Sequence, residues 1–343
     1  MKTRLFAGSL ALLAVLSAFA ATTAGASREA DQLVGAGSSF VSPLMSQWQK
    51  DYPSKTGVNI VYSPSGSGAG IAAISARTVD FGASDAPLSP DQAAGCKGCF
   101  QIPWALGGTS IMVHVKTNAH RPLKITGPVL AAIYLGQIKN WDAPPIKKLN
   151  PGIDFPSEQI VPVYRSDGSG TSYNFTDYLS SVSPAWKSKI GFSTQPAFPS
   201  GVGARGSSGV TGVVSKTEGA IGYADIAFAI ANHVPVMAVK NAAGKYLTPG
   251  IKSIAAAAAS LKRVPPHNEV HIVNPSKAYP KAYPICTYTY VIIPQVTAKA
   301  PLLKKFVFYA LTLGQKFGVP LRFVPIPKTI LVASEKTLSK VHA

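Results

Sequence analysis

A chain of 343 residues, 46% hydrophobic and 14% charged, is long enough for two ordinary cores and too apolar to be disordered. Its 33 Lys and Arg against 15 Asp and Glu give a formal charge of +18, so anions are attracted over the whole surface and nucleic acid has to be weighed as a partner. The basic residues are scattered, with short pairs such as Lys147-Lys148 and Lys304-Lys305 and no interleaved aromatics, which argues against a nucleic-acid platform.

The first residues read as an export leader. Lys2 and Arg4 precede an apolar run from Leu5 to Ala20, followed by small-residue patterns at Ala18-Phe19-Ala20 and Ala24-Gly25-Ala26. Cleavage is expected after Ala26, so residues 1–26 are a leader, and the absence of cysteine around it argues against a lipid anchor. No later stretch is long and apolar enough to span a membrane.

Strand and helix patterns then alternate, which implies an α/β fold with helices on both faces of a sheet. Leu33-Val34-Gly35 reads as a strand, Ser42 to Tyr52 as a helix, Val58 to Tyr62 as a strand and Gly70 to Arg77 as a helix. Thr78 to Pro87 brings a buried strand up to Asp85, at the carboxyl end where open α/β sheets hold ligands; a turn cap is the plainer role for that residue. In an exported chain Cys96 and Cys99 could close a small disulfide, with a redox pair as the alternative, and Cys286 reads as a buried free thiol. Trp104 to Val115 is a strand whose Gly107 and Gly108 suit a crossing between domains. Pro128 to Leu135 is a helix, Ile160 to Val163 a strand, and Gly201 to Ser208 a glycine-rich loop with Arg205 before a helix from Val210 to Lys216. Gly219 to Tyr223 is a strand, Ile251 to Arg263 a helix, and the stretch after Pro265-Pro266 loop and strand. Pro284 to Pro294 is a strong strand fit for a return crossing, and Leu302 to Gly314 an amphipathic helix. The two crossings divide the chain into one domain of residues 31–107 plus 286–343 and another of 108–285.

Three strand-to-helix turns are rich in Gly and Ser. They are Gly35-Ala36-Gly37-Ser38-Ser39-Phe40, Ser65-Gly66-Ser67-Gly68-Ala69-Gly70 and Arg165-Ser166-Asp167-Gly168-Ser169-Gly170-Thr171. The first N–H groups of a helix lack backbone partners and sit at the positive end of its dipole, so such turns hold anions. Arg165 adds a fork of donors matched to tetrahedral oxyanions. A single turn of this kind is usually a plain cap; three can converge on one small ligand.

Enzyme chemistry is poorly served. Gly82-Ala83-Ser84-Asp85-Ala86 falls one residue short of a nucleophile elbow and has no nearby His, no Walker lysine follows the glycine turns, and His267-Asn268-Glu269-Val270-His271 has the wrong order for a zinc helix. Neither a metal nor another cofactor is expected.

With these blocks in place, the chain resembles the periplasmic phosphate-binding proteins of the high-affinity phosphate ABC importer, the PstS family, from about Leu33 to the C-terminal helix. The resemblance rests on the first and third turns above, on Thr78 to Pro87 and on Gly219-Ala220-Ile221-Gly222-Tyr223. It implies a two-domain, type II periplasmic binding protein fold whose cleft buries one phosphate. It also implies a monomeric, non-enzymatic protein of the periplasm that serves membrane permease subunits. Carried over motif by motif, the ligand groups would be Ser39, the Phe40 N–H, Ser67, Asp85, Arg165, Ser169, Gly170 and Thr171, with Asp167 orienting Arg165. Ser39 stands where the family often has Thr, and keeps the hydroxyl. The C-x-x-C loop and the high charge are not expected of the family. Phosphate near neutral pH still carries a proton, which Asp85 can accept, whereas sulfate carries none. A receptor for sulfate or molybdate, or a secreted phosphatase, are the alternatives.

Overall fold

The computed structural model describes residues 31–343, and the expected leader lies outside them. The chain begins with β1 (Gln32–Gly37), α1 (Ser42–Thr56), β2 (Asn59–Ser63), α2 (Ser67–Ser75) and β3 (Phe81–Ser84). β1 pairs in parallel with both β2 and β3, so α1 and α2 are crossover helices and the three strands deliver their carboxyl ends to one side. A short helix that the hydrophobic pattern does not announce follows, α3 (Pro90–Gly95). A reciprocal cap between Ser89 and Gln92 and a proline in its first turn start it. A Cys96–Cys99 disulfide ties its end to the next strand, and Cys286 is a buried free thiol.

That strand, β4 (Cys99–His114), holds the molecule together. It is followed by β5 (Lys124–Ile125), α4 (Gly127–Tyr134), α5 (Pro144–Leu149), β6 (Val161–Arg165), α6 (Gly170–Val182), α7 (Pro184–Lys189), β7 (Val202–Ala204), α8 (Gly206–Lys216) and β8 (Ala220–Asp225). Then come α9 (Ile226–Ala231), β9 (Ala238–Lys240), β10 (Tyr246–Leu247), α10 (Ile251–Ala258), β11 (Cys286–Pro294), α11 (Ala300–Leu311) and α12 (Lys328–Ser339). β4 runs antiparallel to β11 over Cys99–Gly108 and antiparallel to β8 over Thr109–His114, changing partner in mid-strand. One mixed sheet of eight strands results, in the order β2-β1-β3-β11-β4-β8-β6-β7, with a small β10-β9-β5 sheet beside it.

Two aromatic cores flank this strand. In one half Trp48, Phe81, Trp104 and Phe306 pack ring against ring, so α11 returns the C-terminal chain to β1–β3. In the other, Tyr134, Phe175 and Tyr223 do the same, with Phe175 and Tyr223 stacked at 4.2 Å. Each such pair adds about 0.5–1.5 kcal/mol beyond the area it buries.

Several elements differ from expectation for local reasons. α2 begins at Ser67 rather than Gly70 and α8 at Gly206 rather than Val210, because the small polar residues of each turn form the first helical turn itself. α10 ends at Ala258 rather than Arg263. Its alanines favour helix, but Val264 precedes a proline and resists helical backbone, and the chain leaves through turn bonds at Ser260 and Leu261. Residues 267–271 contain no strand. Gly107 and Gly108 do lie where β4 changes partner, but sterics explain them: a Cβ would sit 2.7 Å from the Phe40 ring at Gly107 and 2.9 Å from Pro249 at Gly108.

Candidate anion-binding site

The structure brings Arg165 and Asp85, both buried, to opposite sides of one hydroxyl, Thr171 Oγ1. Arg165 ends β6 and is 4% exposed; Asp85 follows β3 and is 2% exposed. Arg165 donates Nε to Asp167 Oδ1 at 2.7 Å and Nη2 to Oδ2 at 2.5 Å, a bidentate pair that fixes the plane of its fork. The Gly206 N–H donates to the same Oδ1 at 3.0 Å. Burial alone would raise the Asp167 pKa, but the bonds and charge of Arg165 outweigh it and hold the carboxyl below the usual range.

Asp85 is held by hydroxyl groups. Ser38 Oγ and Thr289 Oγ1 (2.9 Å) donate to Oδ1, and Thr171 Oγ1 donates to Oδ2 at 3.3 Å. Burial pushes its pKa up to about 6, against the lowering influence of Ser38, Thr289, the Arg165 charge and Thr171. Thr171 joins the two poles, since its Oγ1 also accepts from Arg165 Nη1 at 3.4 Å.

Four helix starts surround these charges. Before α1, the Phe40 N–H donates to Ser38 Oγ at 3.0 Å. Ser39 Oγ lies 3.0 Å from Ser207 Oγ and accepts the Ser207 N–H at 3.0 Å, linking α1 to the start of α8. At the start of α2, Ser67 Oγ accepts from the N–H groups of Gly170 (3.0 Å) and Asp85 (3.3 Å), which leaves its own proton free to donate. Ser169 caps α6, accepting the Ser172 N–H at 3.1 Å, while its own N–H is taken by the Thr194 carbonyl. Ser169 therefore has its hydroxyl proton, not its N–H, to offer. Gly68 N donates to Gly168 O at 2.9 Å, so the turns of the two halves touch through their backbones. A side chain at Gly170 would place Cβ 2.6 Å from the Asp85 nitrogen, and only glycine fits there.

Sequence reasoning singled out three of the four turns and read the fourth, before α8, only as a glycine-rich loop. Ser38, which the sequence did not single out, donates to Asp85. Ser207, 3.5 Å from Arg165 Nη1, follows the same Gly/Ser signal before an apolar helix and could have been found by it. Thr289 is a lone hydroxyl between two tyrosines of β11. Thr287 Oγ1 and Asn174 Nδ2 hold the Asp85 carbonyl at 3.1 and 3.4 Å. Ser84 is consumed locally, bonding both to and from Ala86. His271 bonds Asp177 at 2.6 Å, and His267 contributes its carbonyl to Gln101. Among the described residues no group of three His, Cys, Asp or Glu is placed to hold a metal.

A mixed sheet shared by two halves, with opposed helix starts and a buried Arg and Asp between them, defines the two-domain, type II periplasmic binding protein fold. The family model described as PBP superfamily domain matches residues 22–312. The chain is 39% identical over 303 residues to phosphate-binding protein PstS of Xylella fastidiosa (strain Temecula1), covering 88% of this chain and 83% of that protein. It is 35% identical over 325 residues to phosphate-binding protein PstS of Pasteurella multocida (strain Pm70), covering 93% and 92%. A crystal structure of a phosphate-binding protein from Stenotrophomonas maltophilia is similar in fold, with a TM-score of 0.70 over 90% of this chain and 94% of that one at 20% identity. The chain belongs to the PBP superfamily and, within it, to the family of phosphate-binding proteins PstS.

Proposed function

We propose that the protein captures inorganic phosphate in the periplasm and delivers it to the permease subunits of an ABC-type importer. The observation that carries this reading is the meeting of buried Arg165 and Asp85 across Thr171 Oγ1, among four helix starts. Arg165 attracts the oxyanion, with Asp167 holding its fork in plane. The hydroxyls of Ser39, Ser67, Ser169 and Thr171 and the N–H groups of Phe40, Gly170 and Thr171 are the further donors, and those now engaged within the protein exchange partners when ligand enters. Asp85 accepts the proton that phosphate keeps and sulfate lacks. A dissociation constant at or below about micromolar, about −8 kcal/mol, is reasonable once dehydration of the anion is set against the charge-assisted bonds.

The halves that close on the ligand are residues 31–107 with 286–343 and residues 108–285. The partner change of β4 after Gly108 and the start of β11 at Cys286 support that division. The protein acts as a monomer, by binding rather than turnover, after removal of its leader and without a lipid anchor. Thermal unfolding with phosphate, arsenate and sulfate in turn tests the reading. Large upward shifts are expected with the first two only; a shift with sulfate alone, or with none, rejects it.

A further inference from the structure

We propose that a second anion site lies in the groove between α12 and residues 262–268, and that it takes a phosphate ester carrying several negative charges and an apolar portion. The groove encloses about 720 Å³, larger than the pocket of about 220 Å³ that borders Asp85 and within the range of small-molecule sites. Its rim is cationic on both walls: Lys262 and Arg263 on one, Lys328, Lys336 and Lys340 on the other. Apolar side chains share the lining: Val264, Pro265, Val332 and Ala333. Val332 is 55% exposed on α12, so apolar surface there stands ready to be covered.

Among the described residues no carboxylate lines this groove, and none of its five cations is paired with one. Glu269 and Glu335, the acids nearest in sequence, line other pockets. Lys262 is steered by the Tyr279 ring, 5.4 Å from its ammonium. Five like charges facing one cavity repel, and an anion in it relieves the repulsion. The walls are fixed in place beforehand. Asn268, 3% exposed, donates Nδ2 to the Gln101 carbonyl and to Thr337 Oγ1, both at 2.9 Å, and Gln101 Nε2 donates to the His267 carbonyl at 3.0 Å. A groove already shaped loses little entropy on binding.

Charge density selects the ligand chemistry. A phosphate group brings up to two charges where a carboxylate brings one, so a ligand small enough for this cavity matches five cations best through two or more phosphoryl groups. The site has no buried acceptor like Asp85, so it does not test the protonation of its ligand.

The test uses the full chain saturated with inorganic phosphate, so that the Arg165 pocket is filled. Titration at about 0.15 M salt with ATP and with cardiolipin-containing vesicles, whose headgroup carries two phosphoryl groups, separates a soluble ester from a lipid headgroup; binding of either supports the site and identifies the source. K336Q/K340Q is expected to weaken that binding about tenfold, while K147Q/K148Q, which removes equal charge elsewhere, changes it by less than about twofold. Both variants should keep the phosphate-induced rise in Tm, which reports folding. Binding of neither probe, or equal losses in the two double variants, overturns the proposal. Tripolyphosphate binding as tightly as ATP would overturn the role of the apolar lining.

Discussion

Arg165 and Asp85 are buried to nearly the same degree, yet the chain holds them in opposite ways. Arg165 finds its counter-charge in Asp167, two residues away on the same turn. Asp85 is held by hydroxyls 47, 86 and 204 residues distant, on the turn before α1, on α6 and on β11. The positive pole is thus a local product of one loop, whereas the negative pole gathers its donors from distant segments, Ser38 and Thr289 within its own half and Thr171 from the other. Their electrostatics follow suit: Asp167 is held low by contact with a full charge, whereas Asp85, stabilised by neutral donors, stays near 6.

Breaking the local pole should cost most. Arg165→Ala removes the cation and leaves Asp167 partly buried without its partner, so phosphate affinity by titration calorimetry should fall at least about thousandfold, about 4 kcal/mol. Near wild-type affinity in that variant would reject the assignment of the site.

The assembled pole shows itself through pH. An Asp85 pKa of about 6 lies above the ordinary carboxyl value of 3.8, so the folded protein holds more protons than the unfolded chain between these values. The stability of the ligand-free protein should therefore fall by about 3 kcal/mol from this group as pH rises from about 4 to about 6, and stay level in this contribution outside that window. Asp225, raised well above the usual carboxylate range mainly by burial and further by Asp85, acts with the same sign. In Asp85→Asn that part of the slope should vanish, and the ratio of phosphate to sulfate affinity should fall about hundredfold. Denaturant melts across pH and competition binding read the two effects; an unchanged ratio would place selectivity elsewhere.

Gly170→Ala addresses the contact between the poles. Its Cβ would lie 2.6 Å from the Asp85 nitrogen and force the turns of the two halves apart. A loss of about hundredfold in phosphate affinity is expected with the secondary structure intact by circular dichroism. Wild-type affinity would mean that the backbone yields there.

The smallest effect sharpens the contrast. Thr289→Val removes one hydroxyl from Asp85, should raise its pKa above 6, and should weaken phosphate binding about fivefold, about 1 kcal/mol. If its unfolding curve tracked the wild type at every pH, the hydroxyl would not be setting the Asp85 titration.

The sequence by itself determined the alternation of strand and helix and the glycine-serine turns, because each is written within a few residues by periodicity or backbone freedom, and the family resemblance paired Asp167 with Arg165. It also placed Asp85 at a strand end. Only the tertiary structure decided that Ser38 and not Ser39 would hold Asp85, that Thr289 would reach it from β11, and that Ser207 would close the ring. It likewise decided that Lys262 and Lys336 would face each other across one groove. Those pairings join segments tens to hundreds of residues apart, and the hydroxyls and ammonium groups that make them carry no local pattern until packing fixes where they point.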